Sequence, residues 1–382
     1  MHIKAGLDTK ETQMKNKDKI AVIDSDRICF SAASSIEDRF IRVTHTPSGR
    51  EKIFKTKTEF KGRGTKTLGG WLGKTNDDRI EKGLEAFPLE DFTIEEDREV
   101  GKVQFAYPRL DAMIKNILHK CGTDQYILCI GSGENFRHPK ATINPYKGNR
   151  QGLVKPLKLK EVRDYMVESH GAIDIPECPN HTNYEADDYV SIMAYTDDKY
   201  IQVSTDKDSP QTEGWILNPD KMEEPFYIPR DGVGKVWTDS GGKVRAYGLK
   251  SFCLQWITSD NVDNIKPRSL CSVKFGEKKA LALLDPLETA EELIEACLKK
   301  YIEWYPKPVD YKHWDTQEDL VGTWETISDE MGILLWMLRE EDDWFSIERL
   351  CARYDVDYDT VIGRLRNDYE QGMAKEVLDG ED

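Results

Sequence analysis

Three short, largely apolar runs, each closed by polar or acidic residues, do most to limit what this chain can fold into. Lys19-Ile20-Ala21-Val22-Ile23 ends in Asp24-Ser25-Asp26, and Tyr126-Ile127-Leu128-Cys129-Ile130 ends in Gly131-Ser132-Gly133-Glu134. Tyr200-Ile201-Gln202-Val203 ends in Ser204-Thr205-Asp206-Lys207-Asp208. Apolar runs of this length without polar alternation belong to strands buried on both faces, as in a parallel sheet. Helical spacing fills the gaps: Tyr107 to Lys120 places Leu110, Met113, Ile114, Ile117 and Leu118 on one face, and Lys158 to Ser169 and Glu185 to Tyr195 follow. Trp215-Ile216-Leu217 reads as a fourth strand. The β-α-β-α-β order predicts an α/β fold, a parallel central sheet flanked by helices, with the acidic residues gathered along one crest at the strands' carboxyl ends.

Asn183-Tyr184-Glu185-Ala186-Asp187-Asp188-Tyr189-Val190 places three carboxylates in four positions, immediately before the apolar run Val190 to Ala194. With Asn183 as the helix cap, Glu185, Asp187 and Asp188 fall in the first turn, where free N–H groups tolerate negative charge. On its own this could simply be the dressing of a helix start. Three further pairs recur at tight spacing, Asp24/Asp26, Asp206/Asp208 and Asp260/Asp263. For the first, an Asx turn closing the strand is the alternative. If the pairs converge, two carboxylates about 4 Å apart repel by roughly 4 kcal/mol at an effective dielectric near 20, so protons or cations must neutralise them. No His or Cys accompanies them at ligand spacing. An all-oxygen set suits Mg²⁺ or Mn²⁺ and disfavours zinc, and phosphodiester cleavage by two such ions is the chemistry expected.

A net charge of −16 argues against a nucleic-acid binder until it is mapped: residues 313–382 hold 20 Asp/Glu against 6 Lys/Arg, so the rest of the chain is close to neutral. Phe136 to Lys160 contains seven Lys/Arg and no acid, including Arg137, Lys140, Lys147, Arg150, Lys155 and Lys158. A phosphate backbone responds to such local charge within a Debye length. The eight Cys form no CxxC pair and mostly sit in apolar runs, which reads as reduced core thiols. The polar first nineteen residues read as a mobile leader without an apolar signal core, and no stretch approaches eighteen apolar residues. A cytoplasmic protein without membrane contact is expected.

Residues 40–100 break the alternation. Ile41 to His45, Pro47-Ser48-Gly49 and Glu51 to Phe60 predict a hairpin, followed by Gly-rich, charged sequence, so the stretch reads as an insertion whose lysines either clamp nucleic acid or solubilise it. Tyr247 to Thr258 reads as an amphipathic helix running into Ser259-Asp260-Asn261-Val262-Asp263-Asn264-Ile265. Phe275-Gly276-Glu277-Lys278-Lys279-Ala280 is a Gly-led helix start whose amides could hold a phosphate. Phe345 to Arg366 has helix-turn-helix spacing with Ala352, Val356 and Val361 inside, and its acidity favours packing or a protein partner over DNA.

Five stretches in order, AVIDSDRICF, GENFRHPK with NPYKGNR, NYEADDYV, VSTDKD and SDNVDNI, resemble the phage and bacterial 5′-nucleases, flap endonuclease-like 5′-3′ exonucleases with a PIN-type fold. The resemblance spans roughly residues 20–285. It implies a PIN-like nuclease domain at 20–246 carrying the insertion and a helix-hairpin-helix-like DNA-binding region at 247–310; the acidic helical module expected at 311–382 lies outside the resemblance. It also implies a two-metal enzyme in phage replication or recombination, acting on duplex DNA with a 5′ end or on RNA–DNA hybrids, in the host cytoplasm if phage-encoded. Asp24, Glu185, Asp187 and Asp206, with Asp188 beside them, match the inner metal ligands; Asp208, Asp260 and Asp263 match the second set; Asp26 stays open. Lys147 and Arg150 match the cations on the scissile phosphate. Arg137, Lys140, Lys155 and Lys158, with Gly276, Lys278 and Lys279 of the clasp, become DNA contacts. Where the family carries an acid after the second strand, this chain has Ser132, with Glu134 nearby. Ser259 replaces a Gly, and Lys266-Pro267-Arg268 the usual Pro-Gly exit. Only 35 positions separate Arg150 from Glu185, which favours exonucleolytic action over flap threading. Alternatives are a ribonuclease using the same carboxylates and an inactive nucleic-acid or partner-binding module.

Overall fold

A computed structural model describes residues 16–64, 68–131, 135–150, 152–175 and 184–379, with side chains up to residue 372. Most of the leader, Ser132, Glu134 and the expected cap Asn183 lie outside the described residues.

The chain forms two compact units. The smaller comprises Ile28–Ala112 and Lys155–Tyr165. After β1 (Ile20–Asp24) and α1 (Asp26–Ser34), the chain enters β2 (Glu37–His45) and β3 (Arg50–Phe54), the expected hairpin. β3 stops earlier than the pattern implied, because Thr56 caps α2 (Lys57–Lys61) by accepting the Glu59 N–H at 3.0 Å, while the Glu59 carboxylate reaches back to the Lys55 N–H at 2.7 Å. After α3 (Gly70–Glu81), β4 (Phe92–Val100) returns antiparallel along β2, giving the order β3-β2-β4. Ile41, Val43, Phe54, Phe60 and Leu72 form this unit's own core, with Trp71, Phe92 and Ile94 packed around it.

The larger unit holds the central sheet. α4 (Tyr107–Cys121) leads to β5 (Gln125–Ile130), α5 (Leu159–His170) to β6 (Ile173–Asp174), and α6 (Ala186–Thr196) to β7 (Tyr200–Val203), β8 (Gly214–Leu217) and β9 (Phe226–Ile228). The order is β6-β5-β1-β7-β8-β9; every pair is parallel except β8 with β9. β1 is flanked by β5 and β7, with Val22 opposite both Ile127 and Gln202. The chain runs outward from β1 to β5 and β6, then crosses to β7 on the other side, so β1 and β7 border the topological switch point where open α/β sheets bind ligands. α6 packs across β1, β5, β7 and β8. It can approach because Gly131 closes β5: a Cβ there would come within 2.7 Å of the Ala186 nitrogen.

The remaining elements are β10 (Lys235–Thr238), β11 (Val244–Tyr247), α7 (Leu249–Ile257), α8 (Glu277–Leu284), α9 (Ala290–Trp304), β12 (Val309–Lys312), β13 (Asp319–Gly322), α10 (Trp324–Leu335), α11 (Ile347–Arg353) and α12 (Tyr358–Asp379). Three expectations change here. α7 is not amphipathic but buried along its whole length, Leu249 through Ile257, because α8, α9, α10 and the β10–β11 hairpin surround it. The acidic C-terminal stretch shares one continuous core with the sheet: Trp336, Leu350, Cys351, Val361 and Leu365 cluster with Val22, Val190 and Phe252. Within its helix pair Val361 is buried and Val356 half-buried, whereas Ala352 is exposed. The end of the leader is also tied down, since Asn16 donates its backbone N–H to Gly122 and its side chain to Cys121, at 2.9 and 2.8 Å. Among the described residues the cysteines are buried, apart from half-buried Cys271, and no helix is long and apolar enough to cross a membrane.

Candidate metal centre

Asp24 ends β1, and the turn after it is fixed by the Asp26 N–H donating to Asp24 Oδ1 at 3.2 Å. Asp26 opens α1 and its carboxylate accepts the Gly131 N–H at 3.2 and 3.3 Å, so this acid ties two strand ends together. Glu185 is the extended residue capping α6, and its N–H donates to Asp188 Oδ2 at 3.2 Å. The cap therefore falls two positions after Asn183. Asp206 and Asp208 lie in the loop after β7, where the Asp208 N–H donates to Asp206 Oδ1 at 2.9 Å. Asp260 and Asp263 occupy a tight loop closed by a bridge between Asp260 and Ile265.

Among the described residues two groups of carboxylates result: Glu185, Asp187 and Asp188, and Asp208, Asp260 and Asp263, each offering oxygens within 4.8 Å of one another. The second triad is buried throughout; in the first, Asp188 is buried and the other two half-buried. Asp24 and Asp206 link them electrostatically. Burial, then neighbouring Asp26, Asp206 and Glu185, push the Asp24 carboxyl up to about 7. Burial followed by Glu185 and Asp188 raises Asp187 well above the usual range, and burial followed by Asp206 and Asp260 does the same to Asp208. Burial also raises Asp263, against the pull of Lys147 and Arg150. Glu185 goes the other way: burial opposes its charge, but the Lys147 and Arg137 cations beside it hold its carboxyl below the ordinary value.

Cations fill part of this deficit. Lys147 sits in the left-handed region at φ 54°, held by its N–H to the Asp263 carbonyl at 2.8 Å. Asn264 opposite is also left-handed, φ 62°, and donates to the Pro145 carbonyl at 3.0 Å, so the two loops are clamped face to face. From this platform Lys147 Nζ reaches Glu185 Oε1 and Arg150 Nη2 reaches Asp263 Oδ1. The Tyr146 hydroxyl donates to Glu185 Oε2 at 2.9 Å. Gly148 is required in the same loop, since a Cβ there would lie 2.5 Å from Pro145 Cγ. The predicted cations Lys147 and Arg150 thus meet the predicted carboxylates.

Arg137 is a correction. It was expected on the surface as a DNA contact, yet it is 2% exposed and forks onto Asp188 with two bonds of 2.7 Å. The other two Nη hydrogens go to Glu185 at 3.2 Å and the Trp336 carbonyl at 2.6 Å. The reason is desolvation: a buried Asp188 needs a buried counter-charge, and a guanidinium matches a carboxylate in both geometry and charge. Asp188 is therefore the least available member of its group. Lys140, Lys155, Lys278 and Lys279 are exposed, as is Gly276, which caps α8. Lys158 pairs with Glu161 one helical turn away at 2.7 Å.

Sequence reasoning missed two partners. Lys207 Nζ lies 2.8 Å from Asp260 Oδ1, and its position between Asp206 and Asp208 was the available signal. Gln255 donates to Asp208 Oδ1 from a helix with no motif to mark it.

The second triad suits a hard divalent cation by its donor chemistry, oxygen only, and by one orphaned atom: Asp260 Oδ2 is buried and has no hydrogen-bond partner. The fold and site together define an α/β protein with a mostly parallel central sheet and two acidic triads at metal-binding distance. No family model matches the chain, and no curated protein or solved structure matches it.

Proposed function

We propose that the chain is a metal-dependent nuclease of the 5′-nuclease type, PIN-like in its central domain, that hydrolyses DNA from 5′ ends. One observation carries this reading. Carboxylates from separate segments, Asp24, Glu185 and Asp187, Asp206 and Asp208, and Asp260 and Asp263, gather with Lys147 and Arg150 beside a topological switch point. Crowded, partly uncompensated carboxylates cost stability, and a shared divalent cation removes that cost.

Asp24, Glu185, Asp187 and Asp206 would hold one Mg²⁺ or Mn²⁺, and Asp208, Asp260 and Asp263 the other. Such ions supply Lewis-acid polarisation of a phosphodiester and an acidified water. The chain's own residues do the rest. Lys147 and Arg150 compensate Glu185 and Asp263 until a phosphate competes for them, and then stabilise the charge that develops on its oxygens. Tyr146 fixes the orientation of Glu185, and the clamped loops keep both cations within reach of the acids. Exposed Lys140, Lys155, Lys278 and Lys279 belong to the same reading as backbone contacts, with α8 as a clasp, and the acidic C-terminal surface as a place for a protein partner.

The test is release of label from 5′-labelled duplex DNA by the full chain. Cleavage is expected with Mg²⁺ or Mn²⁺, none in EDTA, and none for Asp187→Ala, whose DNA affinity stays within severalfold of wild type. Cleavage persisting in EDTA refutes the metal scheme; cleavage confined to RNA strands replaces the DNA enzyme with a ribonuclease.

A further inference from the structure

Within the second triad the three carboxylates are held differently. Asp260 is paired with Lys207 at 2.8 Å, and Asp263 with Arg150. Asp208, 8% exposed, instead accepts a hydrogen bond from the neutral Gln255 side chain at Oδ1. A cation in that place would cancel the charge of Asp208 and compete with any metal. An amide fixes the carboxylate and leaves its charge intact.

Gln255 is itself held. Its Oε1 accepts the Gln211 Nε2–H at 2.6 Å, so with Oε1 used as acceptor the donor end faces Asp208. Gln211 is fully buried in the short turn after Asp208, with its N–H donating to the Asp208 carbonyl at 2.9 Å. Its own carbonyl accepts Arg339 Nη2 at 2.7 Å, and Arg339, also fully buried, is locked by Glu213 at 3.0 Å. A chain of hydrogen bonds thus runs from Arg339 in the C-terminal part of the molecule, through the main-chain carbonyl and then the side chain of Gln211, to Gln255 and the triad.

We propose that Gln255 is a positioning residue for divalent-cation binding: held by Gln211, it sets the Asp208 carboxylate so that an oxygen is presented within 4.8 Å of those of Asp260, whose Oδ2 is unpartnered, and Asp263. The inference rests on the metal reading above and deepens it. It assigns the second ion's affinity to an amide relay, and gives the last seventy residues a part in the centre through Arg339.

Mn²⁺ binding by the full chain, followed by the EPR signal of the free ion, tests both levels. Wild type is expected to bind two ions. Gln255→Met keeps the volume but removes the donor, and should weaken one site at least tenfold while leaving the other within twofold. Gln211→Met frees the Gln255 amide to turn and should weaken the same site severalfold; it also serves if Gln255→Met fails to fold. Wild-type binding of two ions with both variants unchanged overturns the relay and leaves the metal reading standing. No binding by wild type overturns both.

Discussion

Asp24→Asn should stabilise the metal-free protein while destroying its metal centre, and the gain should depend on pH in one direction. Asp24 is the carboxyl pushed from its ordinary 3.8 up to about 7, by burial first and then by Asp26, Asp206 and Glu185. In the folded state it holds its proton more tightly than in the unfolded chain. Its contribution to stability is therefore full below about pH 4, declines as pH rises to 7, and is flat above. A shift of that size corresponds to about 4 kcal/mol, at about 1.4 kcal/mol for each tenfold in proton affinity. Asp24 is only half-buried, so solvent screening brings the expected figure to about 2–4 kcal/mol. Asparagine removes the charge and keeps an oxygen for the Asp26 N–H, at 3.2 Å in the wild type. The assay is urea unfolding followed by Trp fluorescence, in EDTA, from pH 4.5 to 8.5. The gap between variant and wild type should be smallest at the acid end and grow to the stated amount above pH 7. Saturating Mn²⁺ should then close the gap, since a ligand at 100 times its Kd adds about 2.7 kcal/mol to the state that binds it. A constant difference across the pH range, or a variant less stable at pH 8 than wild type, would refute the argument that these carboxylates are crowded.

The other expectations are simpler. Arg137→Met leaves Asp188 charged and buried without its fork of two 2.7 Å bonds; it should cost about 3–5 kcal/mol in urea unfolding, with Arg137→Met/Asp188→Asn recovering part of it. Additive single effects in that double mutant would dissolve the pairing. Glu213 is lowered from its ordinary value, burial opposing its charge but Arg339 outweighing it. Its contribution is therefore present above about pH 4.5 and lost as pH falls further, so the stability gap to Glu213→Gln should be constant near neutrality and narrow below that point; a gap that widens in acid contradicts the sign. Gly148→Ala must displace Pro145 or the loop carrying Lys147 and Arg150, so cleavage of labelled DNA should fall by about tenfold, about 1.4 kcal/mol of barrier, with metal affinity within twofold. Wild-type cleavage rates would show that the loop's geometry is immaterial.

The strands and the acids were legible in the sequence because each is a local signal. Ile20–Asp24, Gln125–Ile130 and Tyr200–Val203 are apolar runs ending in turn chemistry, and the carboxylates sit where those runs stop. Parallel pairing then has little choice but to bring Asp24 and Asp206 to one edge. The hairpin Ile41–Phe54 was legible for the same reason, alternation around a Pro-Ser-Gly turn. Partner choice was not legible. Arg137 sits in a run of seven cations and no acids, and only packing decides that it faces Asp188 and the Trp336 carbonyl instead of solvent. Gln211 and Gln255 belong to no motif, and their meeting spans 44 positions of chain.

Residue order by itself determined the α/β alternation, the strand ends and the acidic character of the crest, since burial periodicity and charge are properties of short stretches. Only the tertiary structure decided which acids are already balanced, by Arg137, Lys147, Lys207 and Arg150, and that Asp260, though paired with Lys207 through Oδ1, keeps an unanswered Oδ2. It also drew the acidic C-terminal helices into the same core as the sheet. The reason is that charge compensation and core sharing depend on distances between segments far apart in the chain, which the fold fixes and no local pattern contains.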